Sequence, residues 1–473
     1  MSMREPFFKV LPRPEPMPLA GRRVLVLGLG DSGLSAAAWA TRSGARLRIA
    51  DTRPAPPHVD TLAHQLPMAD VRLGPFEPTL LEGIDLVCVS PGLTLDQPVV
   101  REAVARGVPV LGDIELFAWG LRAVPGARVI AITGTNGKTT VTALTGHLLK
   151  TAGIDSEVAG NISPAALDAL LRREGHPPAV WVLELSSYQL ESTWSLAPDA
   201  AAMLNLSEDH LDRYASLADY GAAKARVFEG ARVQIVNRAD PAARAMLREG
   251  ADTVSFGLDA PPGPNDWGIL KIEGRDWLAR GAQGICPADE LAIAGTHNVA
   301  NALASLALVG GLDLPTERLV AGLRTFRGLP HRVERITERH GVVWYDDSKG
   351  TNVGATLAAI RGIAAGAPGR VLLIAGGEGK GQDFTPLAEP VREHGRAVLL
   401  IGRDAPQIEQ ALTGKAPRIE RCDSLEQAVE RAAEIAQPGD VVLLSPACAS
   451  FDMFRDYQHR GEAFAAAVRG LGR

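Results

Sequence analysis

The chain has 473 residues, 46% hydrophobic and 22% charged, with a formal net charge of −6. That length exceeds a single hydrophobic core and sets an expectation of about three domains, while the mild acidity excludes the basic footprint of a nucleic-acid binder. No apolar run approaches the roughly 20 residues needed to span a bilayer, and Cys88, Cys286, Cys422 and Cys448 lack the C-x-x-C spacing of a zinc knuckle or disulfide scaffold, so a reducing cytoplasm is the expected setting.

Residues 1–20 are proline-rich, lack an apolar signal core and read as a poorly ordered lead-in. Val24–Leu27 is an apolar strand that enters Gly28-Leu29-Gly30-Asp31-Ser32-Gly33. An alanine-rich helix follows to about Ser43, then a second strand, Leu47–Ala50, ending at Asp51. This βαβ unit has a G-x-G-x-x-G turn and an acid 18 positions beyond Gly33, which alone suggests a dinucleotide site. A later strand, Ile84–Val89, runs into Ser90-Pro91-Gly92, and glycine-rich loops after parallel strands put ligands at the carboxyl edge of the sheet.

After a break at Val124-Pro125-Gly126, the strand Arg128–Ala131 leads into Ile132-Thr133-Gly134-Thr135-Asn136-Gly137-Lys138-Thr139-Thr140. A strand, a glycine turn and a helix starting at Lys138 leave backbone N–H groups and a helix N-terminus facing one point, which suits a polyphosphate. Lys138 can reach terminal phosphates, and the Thr139 hydroxyl can ligate Mg²⁺. The common P-loop pattern has a glycine where Ile132 stands, so the loop is a variant, with a ligand-free glycine turn as its bland alternative. Buried strands at Val180–Leu185 and Ala200–Leu206 end in polar residues. Glu184 is placed to hold Mg²⁺ through oxygen, the alternative being a capping or solvated glutamate, and His210 follows the second strand. Lys224 lies in an alanine-rich helix, Tyr220–Phe228, where a snorkelling surface lysine is the commoner fate.

A helical stretch, His297–Val309, precedes Leu323–Arg332, whose Gly328 and Pro330 mark a hinge. A third unit has strands at Val342–Tyr345, Val371–Ala375, Val398–Ile401 and Val441–Leu444, and a helix at Leu425–Ile435. Lys349 follows Asp346-Asp347-Ser348, and Lys380 tips the turn Gly376–Gly381, where a lysine suits phosphate or carboxylate. The expected fold is α/β with mostly parallel sheets in three domains. These are a Rossmann-like domain over 21–123, a P-loop-type ATPase domain over 124–327 and a second Rossmann-like domain over 328–473.

Together, Gly28-Leu29-Gly30, Ser90-Pro91-Gly92, Thr133–Thr140, Gly160-Asn161-Ile162, Glu184-Leu185-Ser186-Ser187, Glu208-Asp209-His210, His297-Asn298, Asn301, Pro330-His331-Arg332, Asp347-Ser348-Lys349 and Ser445–Ser450 make the chain resemble the Mur ligases of peptidoglycan synthesis, from Gly28 to Arg460. The last block, continuing to Phe454 and His459-Arg460-Gly461, is similar to the D-glutamate-adding branch. The Asp-x-x-Pro-Arg-type signature of the diaminopimelate- or lysine-adding branch is not apparent.

The resemblance implies an ADP-forming ligase that joins D-glutamate to UDP-N-acetylmuramoyl-L-alanine with ATP as co-substrate, as a cytoplasmic monomer without nucleic-acid or membrane partners. It implies that the first domain binds UDP and not NAD. Asp51 and Thr52 would lie near the uracil, Asp31 and Ser32 in the turn over the diphosphate with Gly30, Ser90 and Gly92 in the same site, and Asn161 and His210 would face the UDP-sugar. ATP would be held by Gly134, Thr135, Asn136, Gly137, Lys138, Thr139 and Thr140, with Asn298, Asn301, Arg332 and Asp347 on adenine and ribose. Thr139 and Glu184 would hold one Mg²⁺, and a carbamylated Lys224 with His210 a second. Thr351, Lys380, Ser450, Phe451 and Tyr457 would surround glutamate or the transferred phosphate, and Lys138, His210, Lys224 and Lys349 would be catalytic. Three positions depart from the family pattern: Asp31 puts an acid near a diphosphate, and Phe451 and Tyr457 stand where leucine and phenylalanine are expected. The competing readings are a folylpolyglutamate synthase-like ligase, which lacks the first Rossmann unit, and an NAD-binding protein with a regulatory NTPase domain.

Overall fold

Strands that are apolar on both faces need helices on both sides of their sheet, and runs such as Val24–Leu27 and Leu86–Val89 are buried throughout. The computed structural model, which describes residues 6–210, 212–293, 295–312 and 318–471, places them in the first of three α/β units. Its parallel sheet comprises β1 (Arg23–Leu27), β2 (Arg46–Asp51), β3 (Asp70–Leu73), β4 (Leu86–Val89) and β5 (Val110–Leu111), in the order β3-β2-β1-β4-β5. The order reverses between β1 and β4, where such sheets open a ligand crevice at the strands' carboxyl ends. The turn after β1 is tight enough to require Gly33, whose Cβ would lie 1.9 Å from the Gly28 carbonyl oxygen.

The central sheet contains β6 (Arg128–Thr133), β7 (Ser156–Gly160), β8 (Val180–Glu184), β9 (Ala200–Met203), β10 (Val233–Asn237), β11 (Asp252–Phe256), β12 (Trp267–Ile272), β13 (Arg275–Arg280) and β14 (Gln283–Pro287). Their order is β14-β13-β12-β11-β10-β9-β6-β8-β7. The mostly parallel expectation fails at one end, because β12, β13 and β14 form an antiparallel meander. Those strands are partly solvated, so they lack the continuous apolar runs that reveal a buried parallel strand. In the third unit β15 (Glu334–Arg339), β16 (Val342–Asp346), β17 (Val371–Gly376), β18 (Gly395–Ile401), β19 (Ile419–Arg421) and β20 (Val441–Leu444) are ordered β15-β16-β20-β17-β18-β19, parallel except at β15.

The expected loose lead-in needs correcting from residue 6 onward; residues 1–5 lie outside the described residues. Phe7–Val10 is a helical turn, and Phe8, Leu11 and Leu19 are buried. Phe8 meets the Tyr214 ring edge-on at 6.4 Å, and Lys9 pairs with Asp219 at 2.8 Å. Apolar side chains between the prolines tie this segment down despite its composition.

The first two units share one core. A single apolar cluster runs from Val24, Ile114 and Phe117 into Trp181, Leu183 and Phe228, with the Phe117 and Trp181 rings 5.3 Å apart. Buried Glu115, in the first unit, accepts from the backbone N–H groups of Trp194 and Ser195 at 2.7 and 2.9 Å. The third unit has its own apolar clusters. It meets the central unit partly through side-chain hydrogen bonds, Arg332 Nη2 to Thr139 Oγ1 at 2.6 Å and Asn352 Nδ2 to Asn136 Oδ1 at 3.1 Å. Among the described residues no helix is long and apolar enough to cross a membrane.

Candidate functional site

A cleft of about 900 Å³ opens between the central and third units, where the loops after β6, β8, β9 and β16 converge. On its central wall, Gly137 takes φ +82° and hands the chain to the helix Lys138–Thr151. A Cβ at that position would also meet Asn301 Oδ1 at 2.7 Å. Asn205 fixes the loop from behind: its Oδ1 accepts from Asn136 N at 2.8 Å and its Nδ2 donates to Asn136 O at 3.0 Å. The strand β9 therefore stops at Met203, short of the expected Leu206, because the following backbone is spent on the loop; Thr135 N donates to Asn205 O at 3.0 Å.

Two lysines converge on one carbonyl. Lys138 Nζ donates to the oxygens of Gly134 and Thr135 at 2.9 and 2.8 Å, and Lys224 Nζ donates to the same Gly134 oxygen at 2.8 Å. Lys224 is 1% exposed, so the surface-lysine reading is wrong: the helix Leu217–Ala225 turns it inward above the Tyr220 ring. Burial, and then the charge of Lys138, hold Lys224 well below the ordinary lysine range, and burial also lowers Lys138. A buried amine that sheds its proton easily is a nucleophile, the state that reaction with CO₂ requires.

Glu184, at the end of β8, is 2% exposed. Its Oε1 accepts from Asn161 Nδ2 at 2.9 Å, while Oε2 has no hydrogen-bond partner among the described residues. A buried carboxylate oxygen left unpaired is costly, and with Thr139 and His210 lining the same cleft the donor set fits a hard divalent cation. His210 adopts φ +56° and places Nδ1 2.7 Å from the Tyr188 hydroxyl, so a cation on this ring would take Nε2, which lies 3.8 Å from Asp209 Oδ2.

The third unit supplies the opposite wall. Arg332 stands between two residues in the left-handed region, His331 at φ +61° and Val333 at φ +50°, and the His331 ring is tied to Asp346 at 2.7 Å. Lys349 lies 4.0 Å from the centre of the Tyr457 ring, and burial brings it down to about 8. Asp347 accepts from Ser445 Oγ at 2.7 Å, and burial raises it to about 7. Its folded pKa thus exceeds the unfolded value of 3.8, so the native state binds the extra proton between these limits and stability falls as pH rises from about 4 to about 7. Asp347→Asn removes this dependence. Its melting temperature relative to the wild type is expected to climb across that window in paired thermal unfolding scans, and a constant difference would contradict the assignment.

Of the residues singled out from sequence, Thr135 to Thr140, Asn161, Glu184, His210, Lys224, Asn298, Asn301, Arg332, Asp347, Lys349, Thr351, Lys380 and Tyr457 line this cleft. Ser450 is buried and Phe451 is 65% exposed, and neither lines it. Gly30, Asp31, Ser32, Asp51, Thr52, Ser90 and Gly92 gather instead at the carboxyl edge of the first sheet. There Ser90 Oγ donates to Gly28 O at 2.9 Å. The Asp51 carboxylate is consumed by Leu29 N at 2.7 Å and by the Arg53 backbone and guanidinium, and the Arg53 hydrogen bond lowers it to about 2. Asp51 therefore shapes the turn and has little capacity left for a ribose. The Asp31 side chain, at the start of the following helix, is 88% exposed and pairs with His58 at 2.6 Å. The sequence reading missed Tyr188, Asn205 and Asn352; their signal is slight, a hydrogen-bonding residue just after a strand or just before a helix.

Three family profiles match consecutive parts of the chain: the Mur ligase MurD-like N-terminal domain over residues 22–112, the Mur ligase middle domain over 132–309, and the Mur ligase glutamate ligase domain over 331–448. The chain is similar to the UDP-N-acetylmuramoylalanine–D-glutamate ligase of Nitrosospira multiformis, 54% identical over 461 residues that cover 96% of this chain and 97% of the relative. Its counterpart of the same name in Nitrosomonas europaea is 50% identical over 465 residues, covering 97% and 98%. Among solved structures, MurF from Acinetobacter baumannii shares the fold with a TM-score of 0.60 at 18% identity, over 97% of this chain and 92% of that one.

Proposed function

The chain belongs to the Mur ligase family, and from that premise we propose that it joins D-glutamate to UDP-N-acetylmuramoyl-L-alanine in the cleft between its central and third units. It is an ATP-dependent ligase of peptidoglycan precursor synthesis. The observation that carries the assignment of the cleft is the convergence there of Lys138, Glu184, His210 and Lys224 with Arg332 and Lys349 from the third unit. The MurD-like first domain argues against a folylpolyglutamate-type ligase, which lacks that unit, and the saturated Asp51 carboxylate argues against an NAD site.

A carboxylate is a poor electrophile, so the substrate's alanyl carboxylate first takes the γ-phosphoryl group of ATP, giving an acyl phosphate and ADP. Transfer of this kind asks mainly for in-line positioning and charge neutralisation. The loop Thr135–Thr140 cradles the phosphates, and Lys138 and Arg332 bring positive charge from opposite walls. Asn298, Asn301 and Asp347 hold the nucleoside. The Lys224 amine would take up CO₂ with loss of a proton, giving a carbamate whose oxygens would join Glu184 and His210 as metal ligands. Mg²⁺ ions held by Thr139, Glu184, His210 and that carbamate would neutralise the phosphate oxygens. The glutamate amine, held near Thr351, Lys380 and Tyr457, then attacks the acyl carbon, and the tetrahedral adduct collapses to the amide with loss of phosphate. Because ligands come from both walls, the third unit closes about the hinge at Gly328–Pro330.

The deciding experiment measures ATP-dependent phosphate release with UDP-N-acetylmuramoyl-L-alanine and either glutamate enantiomer. Release is expected with D-glutamate and only weakly with L-glutamate; equal rates would overturn the substrate assignment. In thermal shift, UDP is expected to stabilise the protein and NAD to leave it unchanged.

A further inference from the structure

Gln382 carries no assigned role, yet its side chain ties together three segments of the third unit. Its Oε1 accepts from Val353 N at 3.0 Å, and its Nε2 donates to Gly379 O at 3.0 Å and, more weakly, to Ala447 O at 3.4 Å. The amide orientation is dictated by its partners, because an N–H can only donate and the two carbonyls can only accept.

Each segment borders a residue proposed to hold glutamate or phosphate. Val353 opens the helix Val353–Ala364, two positions after Thr351. Gly379 directly precedes Lys380, and Ala447 N donates at 2.8 Å to the carbonyl of Gly350, next to Thr351. Lys380 and Ala447 are both non-glycine residues in the left-handed region, at φ +52° and +58°. Such conformations persist where surrounding contacts over-determine them, and Gln382 contacts a carbonyl at Ala447 and another beside Lys380. A second anchor, Gly379 N to Asp404 Oδ2 at 2.7 Å, fixes the same turn from its other side. Asn352, the cap of that helix, reaches across the cleft to Asn136 of the phosphate loop and to Asp209, at 3.1 and 3.3 Å. One side chain therefore joins the Lys380 turn, the Ala447 turn and the helix end that touches the nucleotide loop.

We infer that Gln382 is a positioning residue for the incoming amino acid, holding the Lys380 and Ala447 turns in register with the phosphate loop. The inference rests on the proposed placement of glutamate beside Thr351 and Lys380. Gln382 touches no substrate in this scheme, and its effect is to aim backbone and side chains that do.

The test is steady-state kinetics of the full chain with each substrate varied. Gln382→Met keeps the length of the side chain and removes all three contacts without adding charge. It is expected to raise KM for D-glutamate about tenfold, while KM for ATP and for the UDP-substrate change less than about twofold. Gln382→Glu retains an acceptor for Val353 N but faces both turn carbonyls with oxygen, so it is expected to raise the same KM, and the variant supplies the measurement if the methionine protein folds poorly. A uniform change in all three KM values, or a lowered melting temperature with unaltered KM values, would reduce Gln382 to a structural staple and overturn the inference. Lys380→Ala separates the two levels of the proposal. If it leaves KM for D-glutamate unchanged, the glutamate site itself is misplaced; if it raises that KM while both Gln382 variants do not, only the positioning role fails.

Discussion

Replacing Lys138 by alanine is expected to lower ATP-dependent phosphate release by roughly 10³-fold or more, the scale on which removing a preorganised charge from a phosphoryl-transfer site is felt. The reasoning is local. Lys138 begins the helix behind the loop and faces Arg332 across the cleft, and in the proposed reaction the two would bring cationic charge to the transferred group from opposite walls. Its amine is held by the carbonyls of Gly134 and Thr135, so it is available to exchange carbonyl oxygens for phosphate oxygens without rebuilding the loop. The UDP-substrate should still bind, because the residues proposed to hold its nucleotide sit on the first sheet. Isothermal titration with UDP-N-acetylmuramoyl-L-alanine is expected to give an affinity within about twofold of wild type. Full turnover by the alanine variant would end the assignment of the loop.

Lys224→Ala should be nearly as damaging, by about 10²- to 10³-fold, because it removes the proposed carbamate and the oxygen ligand it would supply. The distinguishing outcome is rescue. The truncated side chain leaves space beneath the phosphate loop, and a short-chain carboxylate such as acetate or formate can place two oxygens where the carbamate's would be. Partial recovery with carboxylate and none with chloride at equal ionic strength is the expected pattern. Wild-type activity in Lys224→Ala would show that no carbamate is needed, and a dead variant that no carboxylate revives would point to a structural loss.

The elements that carry strong local signals were legible in the sequence. The helix Leu425–Ile435 matches residue for residue, since Ser424 caps it and its apolar positions recur on one face. The phosphate loop was legible because strand, glycines and helix start must follow in a fixed order. Lys224 was not, since an alanine-rich helix looks the same whether its lysine faces water or a buried loop. Contacts such as Arg332 with Thr139 and Asn352 with Asn136 join residues about 200 positions apart, and no local pattern encodes them. The meander β12–β14 escaped because half-solvated strands carry little of the hydrophobic contrast on which strand recognition depends. For the site roles, resemblance supplied what spacing could not.

The core shared by the first two units also bears on how the molecule comes apart. Phe117 against Trp181 and the buried Glu115 bridging to Trp194 and Ser195 make the first sheet and the central sheet parts of one cooperative block, whereas the third unit owns its core and meets that block partly through individual side-chain hydrogen bonds. Three sheets are therefore expected to melt as two thermodynamic entities, with the third unit the one to separate as a body; a single sharp calorimetric transition would contradict this. A nucleotide bridging the cleft as proposed would couple the two entities, so ATP would act on this protein as a fastener of its folding units as well as a source of phosphate.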